Sequence, residues 1–160
     1  MLGSFEKALV FFKKKLFHKP SIDQKMVSKV GNDDFGKQTI ENFNSNGVDT
    51  RHLFICEDNS IPSGVASILV DSKTGKNVIV VVPGSNFAIT SNEISSTLNQ
   101  ILPSQSGITV VITQLEIPMG LVEQTLKTSS AVKNVITILN PAPAAKLSDV
   151  KLFRIIISVT

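Results

Sequence analysis

The chain has 160 residues, 42% hydrophobic and 18% charged, which suits one domain with a real core and excludes a disordered or low-complexity chain. Its nine aromatic residues are all Phe, leaving few rings for stacking on single strands, and its one cysteine, Cys56, closes no intrachain disulfide and builds no Cys-rich zinc site, as expected of a cytoplasmic protein. The net charge is +3, yet residues 1–20 hold five lysines against Glu6, a local +4; the other 140 residues carry −1, so no basic face for nucleic acid is expected.

Leu2, Phe5, Leu9, Phe12 and Leu16 recur at steps of three and four, which predicts an amphipathic, lysine-rich helix within residues 1–25, set apart from a domain over 26–160. Such a helix is read first as solvated or docked. A membrane-surface role is the weaker alternative, and the apolar stretch 8–12 is too short to span a bilayer. Pro20 and the polar residues 21–25 predict a break.

From residue 26 short apolar runs alternate with helical spacing, an α/β pattern. Residues 26–30 predict a strand. Gly31-Asn32-Asp33-Asp34 is a turn that offers a helix N-cap, 35–44 predict a helix, and Asn46-Gly47 ends it. Strands are expected over 52–56, 64–70 and 77–82. The last two flank the polar loop 71–76 and predict an antiparallel hairpin with Ala66, Ile68 and Val70 on one face of its first strand, and Ile79 and Val81 together on its second. A helix over 91–101, a strand over 107–113, a helix over 118–128 opened by Pro118, and strands over 135–139 and 151–159 complete the reading.

Glu116 follows directly on the apolar run 110–113. At the carboxyl end of a parallel strand it is placed to reach a polar ligand's hydroxyls, although acidic residues also favour helix starts for their own sake. Asn140-Pro141-Ala142-Pro143-Ala144 predicts a stiff, extended strand-end loop of structural character. Neither a P-loop nor a Gly-x-Gly-x-x-Gly turn is present, and no Gly-x-Ser-x-Gly elbow. His18 and His52 stand apart without metal-ligand spacing, and Cys56 reads as a small buried hydrophobe.

Five collinear blocks, residues 29–36 (Lys-Val-Gly-Asn-Asp-Asp-Phe-Gly), 63–68, 77–86, 114–118 and 139–144, resemble the ribokinase branch of the PfkB carbohydrate kinase family, over about residues 26–150. The resemblance implies an αβα sandwich, here partial, with a small β-sheet lid whose strands fall within about 52–83. It implies transfer of the ATP γ-phosphate to the 5-hydroxyl of ribose, with Mg2+ and a monovalent cation, and dimer formation through the lid. By position, Glu116 looks like the family's sugar-binding glutamate, and Ala66, Ile68 and Val81 like lid side chains that close over the sugar. Gly84 and Asn86 match a Gly-Ala-Asn segment, Ser85 replacing the alanine, with a structural role expected.

The chain departs from the family at both ends. The Asn-x-Asp and Gly-Gly-Lys-Gly-Ala-Asn stretches that grip the sugar are replaced by residues 1–25, and residue 160 falls where the Thr-Pro-Asn-Glu motif, the ATP site and the Gly-Ala-Gly-Asp-Thr segment with its catalytic Asp would follow. The expectation is a truncated ribokinase form without catalytic, nucleotide or metal residues, inactive alone and marginally soluble, because a sheet without its first strand leaves apolar edges open. The alternative is a non-catalytic partner that pairs by its lid with an intact kinase subunit.

Overall fold

Val- and Ile-rich runs form strands, and the stretches of helical period between them form helices, in a computed structural model that describes residues 2–3, 9–14, 22–102, 107–143 and 155–156. The elements run β1 (Leu2–Gly3), β2 (Leu9–Lys14), β3 (Ile22–Val30), α1 (Asp34–Ser45), β4 (Asp49–Ile55), β5 (Val65–Val70), β6 (Asn77–Val82), a 3-10 turn (Gly84–Ala88), α2 (Ser91–Ile101), β7 (Thr109–Gln114), α3 (Met119–Ser130), β8 (Val135–Asn140) and β9 (Ile155–Ile156). Six strands make the main sheet in the order β4-β3-β2-β7-β8-β9, and three make a small one in the order β1-β5-β6. The remainder of the expected last strand and residues 144–150 lie outside the described residues.

The helix expected near the N-terminus is overturned. Leu9–Lys14 is a strand, antiparallel to β3 on one side (Leu9 opposite Val27, Lys14 opposite Ile22) and to β7 on the other (Val10 opposite Ile112). Leu-Val-Phe-Phe satisfies strand as well as helix preferences, and two ladders of backbone hydrogen bonds decide between them. Pairing with β2 also carries β3 back to Ile22, through the break expected at 21–25. The sheet therefore has no open slot beside β3: β2 fills it, reversed among strands that otherwise run parallel.

A second correction concerns the lid. Residues 52–56 were expected among its strands, but β4 pairs parallel with β3 in the main sheet, Val27 opposite His52 and Val30 opposite Ile55. The small sheet takes β1 as its third strand instead, with Leu2 opposite Ser67.

The apolar stripes of α2 (Ile94, Leu98, Ile101) and α3 (Val122, Leu126) are buried with Val27, Val111, Val135 and Leu139 of the main sheet in one cluster. Burying each such side chain stabilises the fold by roughly 1.5–3 kcal/mol. Helix starts are set by local chemistry. Asp33 caps α1, and Thr90 with Glu93 forms a capping box on α2, the threonine hydroxyl accepting from Glu93 N while the carboxylate accepts from Thr90 N at 2.7 Å. Among the described residues no helix is long and apolar enough to cross a membrane.

Candidate functional site

β3, β7 and β8 run parallel, so their carboxyl ends lie at one edge of the main sheet, the edge at which open α/β sheets bind ligands. Val30 leads there into Gly31, Gln114 into Leu115 and Glu116, and Asn140 into Pro141. Leu115 N donates to Ala142 O at 3.0 Å, which ties the two strand-end loops together.

The β5–β6 hairpin stands over this edge, in register from Val65 opposite Val82 to Val70 opposite Asn77. Between hairpin and strand ends lies a cleft of about 510 Å3. Ala66, Ile79 and Val81 line it from the flap, and Leu115, half-buried Glu116 and Pro143 from the body. Of the residues singled out by sequence, Glu116, Ala66 and Val81 are brought together here. Ile68 shares a face of β5 with Ala66 but is outside the lining.

Sequence reasoning missed the third wall, made by Pro83 and by Asn86 and Phe87 of the 3-10 turn, and missed Pro143. Asn86 is buried, with its side-chain oxygen unpaired among the described residues, whereas Phe87 is 56% exposed.

The stems by which the flap leaves and rejoins the body are residues 62–64 and 83–86. Asp33 binds the first: Ser63 N donates to Oδ2 and Ser63 Oγ to Oδ1, both at 2.7 Å, while Gly36 N donates to Oδ1 at 2.8 Å as the α1 cap. Burial alone would raise the Asp33 carboxyl, but these bonds and the Lys37 charge outweigh it and hold the group below the usual aspartate value. Ser63 Oγ also accepts from Gly31 N at 2.9 Å. The second stem is held by Ser85, whose N donates to Pro62 O at 2.9 Å and whose Oγ donates to Lys29 O at 3.1 Å.

A second, polar cleft of about 480 Å3 is lined by Lys25, Arg51 and His52 together with Ser96, Thr97 and Gln100 of α2. Asp49 accepts from both Lys25 (3.0 Å) and Arg51 (2.7 Å), so the cations there are already matched. The bond from Arg51, opposed by burial and joined by those from Lys25, drives the Asp49 carboxyl far below its usual range, and burial lowers His52. Among the described residues no group of three or more His, Cys, Asp or Glu is placed to hold a metal ion.

Parallel strand ends, a mixed α/β body and an apolar flap over a strand-end glutamate define the class: an α/β protein with a flap-covered cleft at the sheet edge. Residues 16–155 match the family described as pfkB family carbohydrate kinase. The chain belongs to that family, and its relatives are ribokinase-like. It is 39% identical to the ribokinase of Mus musculus over 121 residues, 74% of this chain and 34% of the mouse protein. In fold it is similar to the ribokinase of Giardia lamblia (TM-score 0.64, 18% identity, 89% of this chain and 50% of that one). It is also similar to the ribokinase of Cryptococcus neoformans solved in complex with ADP (TM-score 0.60, 25% identity, 76% and 35%). The chain spans about a third of the length of the curated relatives it matches.

Proposed function

We propose that this chain supplies part of the sugar site of a ribokinase-type kinase, with the flap acting as its lid and D-ribose as the ligand of the cleft. The observation that carries the reading is the meeting of Glu116, at the end of β7, with Ala66 and Val81 of the flap around one cavity. A carboxylate accepts hydrogen bonds from sugar hydroxyls, and apolar flap strands cover the ring carbons and exclude water. Ile68 backs Ala66 on the same face of β5. Its relatives' names support ribose over other sugars.

Phosphoryl transfer works by placing the acceptor hydroxyl against the nucleotide and neutralising the charge on the transferred group. We infer that ATP, Mg2+ and the general base act through parts of the enzyme outside the third that this chain matches. These 160 residues should therefore bind ribose without turning it over. Titration calorimetry of the chain with D-ribose tests this: binding should weaken at least about tenfold in Glu116→Gln, the loss expected for a hydrogen bond to a charged group. ATP-dependent formation of ribose 5-phosphate by the purified chain, abolished by Glu116→Ala, would refute the inference of inactivity. No heat from ribose in the wild type would refute the sugar reading.

A second reading, a non-catalytic partner docked through the flap, is favoured by one observation: β6 is exposed along its whole length although every residue after Asn77 is Val or Ile. It is also an edge strand. Co-purification with a full-length ribokinase subunit supports pairing, and its absence at micromolar concentration sinks it.

A further inference from the structure

We propose that Asp33 and Ser63 are positioning residues: together they latch the flap at the angle that sets Ala66 and Val81 against Glu116. Apart from the two-residue pairing of β5 with β1, the described residues give the flap little else to hold it. β6 is exposed throughout and β5 is exposed beyond Ile68, so the orientation of the hairpin is decided at its stems.

The stems are packed backbone to backbone. A Cβ added to Gly84 would lie 2.4 Å from Pro62 O, one on Gly64 would lie 2.7 Å from Pro83 O, and one on Gly31 would lie 2.3 Å from Ser63 N. At such separations the stems can swing only as a unit, and the bonds of Ser63 to Asp33 fix that unit to the body. Asp33 is also the cap of α1. One carboxylate thus fixes a helix start and a flap stem at once, through residues 30 apart in sequence.

That double duty allows the two roles to be separated. Asparagine is as good an N-cap as aspartate and keeps an oxygen for Gly36 N, but its amide NH2 would face the Ser63 N–H, donor against donor. Asp33→Asn therefore breaks the Ser63 N half of the latch, on Oδ2, and spares the cap on Oδ1. Ser63→Ala removes the hydroxyl and leaves the carboxylate in place. Thr90→Ala weakens the cap of α2, which takes no part in the stems, and serves as the control for a general loss of stability.

Hydrogen exchange followed residue by residue on the 160-residue chain reads the latch without ligand. Amides of 65–82 should exchange about tenfold faster in Asp33→Asn and Ser63→Ala, with those of β7 and β8 unchanged, and Thr90→Ala should leave the flap at wild-type rates. Unchanged flap exchange in the latch variants, or an equal rise across β7 and β8, overturns the proposal. If Asp33→Asn does not fold, Ser63→Ala decides by the same criterion.

The purpose assigned to the latch rests on the reading of the cleft as a sugar site, and a ribose titration tests that part separately. The dissociation constant for ribose should rise about tenfold in the latch variants and not in Thr90→Ala. An equal constant in all three overturns the positioning role. A wild type that does not bind ribose refutes the sugar reading, while the ligand-free comparison still decides whether the latch exists.

Discussion

Gly84 shows how a single residue can hold the site open. Its φ of +49° lies in the left-handed region, and a Cβ there would meet Pro62 O at 2.4 Å and Gly64 N at 3.0 Å. Gly47, after α1, has φ +75° and open space around it. The left-handed conformation costs an L-residue roughly 1–2 kcal/mol, so Gly47→Ala should destabilise by about that much. Gly84→Ala adds a backbone collision that no side-chain rotation relieves and should lose clearly more, about 3 kcal/mol or above. Urea unfolding of the two variants measures the difference. Equal losses would mean that the stems separate without cost, and would remove the steric half of the latch.

At the scale of elements, α2 is fixed by its first turn. Glu93 Oε2 accepts from Thr90 N and Oγ, and Glu93 Oε1 accepts from Lys29 Nζ at 2.8 Å, so one side chain joins the helix start to β3. Burial pushes this carboxyl up, but the bonds from Lys29 and Thr90 pull it further down, to a net value below normal. A carboxyl with a depressed folded pKa contributes stability fully above its unfolded value, about 4.3, and loses it as the pH falls through the folded one. Thr90→Ala should cost about 1 kcal/mol at neutral pH. Glu93→Gln should flatten the acid limb of the stability profile below about pH 4.3, read from urea midpoints against pH; a limb as steep as wild type would show that Glu93 does not titrate with folding. The helix expected over 91–101 agrees at both bounds with Ser91–Ile101, although the Thr90–Glu93 capping box that starts it was not read from the sequence. The strand Asn77–Val82 was legible because turn residues bracket an unbroken β-branched run. Residues 9–14 misled for the opposite reason. Their apolar positions fit two periods, and only pairing with β3 and β7, distant in sequence, selects the strand. Membership of a sheet is equally non-local, so 52–56 were read as a strand and assigned to the wrong sheet. In the site, Glu116 could be found from its strand end, and Ala66 and Val81 from the family resemblance, alternation giving only the faces they share, whereas the Asp33–Ser63 bonds link a turn to a loop with no shared local pattern.

At the scale of the whole molecule, the main sheet is closed against the core by α2 and α3, and the exposed apolar surface collects on the flap. Ile79 and Val81 face the cleft, so alternation along β6 turns Val78 and Val80 to the other side, where Leu69 stands opposite Val78. These three are 56–64% exposed. We propose that this contiguous apolar face on an edge hairpin serves association; the two sides of the hairpin are separable by mutation because one lines the cleft and the other does not. The wild-type chain should associate with rising concentration in sedimentation velocity, and Val78→Lys with Val80→Lys should return it to monomer while leaving ribose binding intact. Val81→Lys should do the reverse, abolishing ribose binding and leaving association in place. Lysine at 78 and 80 costs little in the monomer, where those side chains already meet water, but cannot be buried unpaired against a second flap. A wild type that stays monomeric at high concentration, or a double variant that still associates, would place the contact elsewhere and leave the outer face of the flap without a role in assembly.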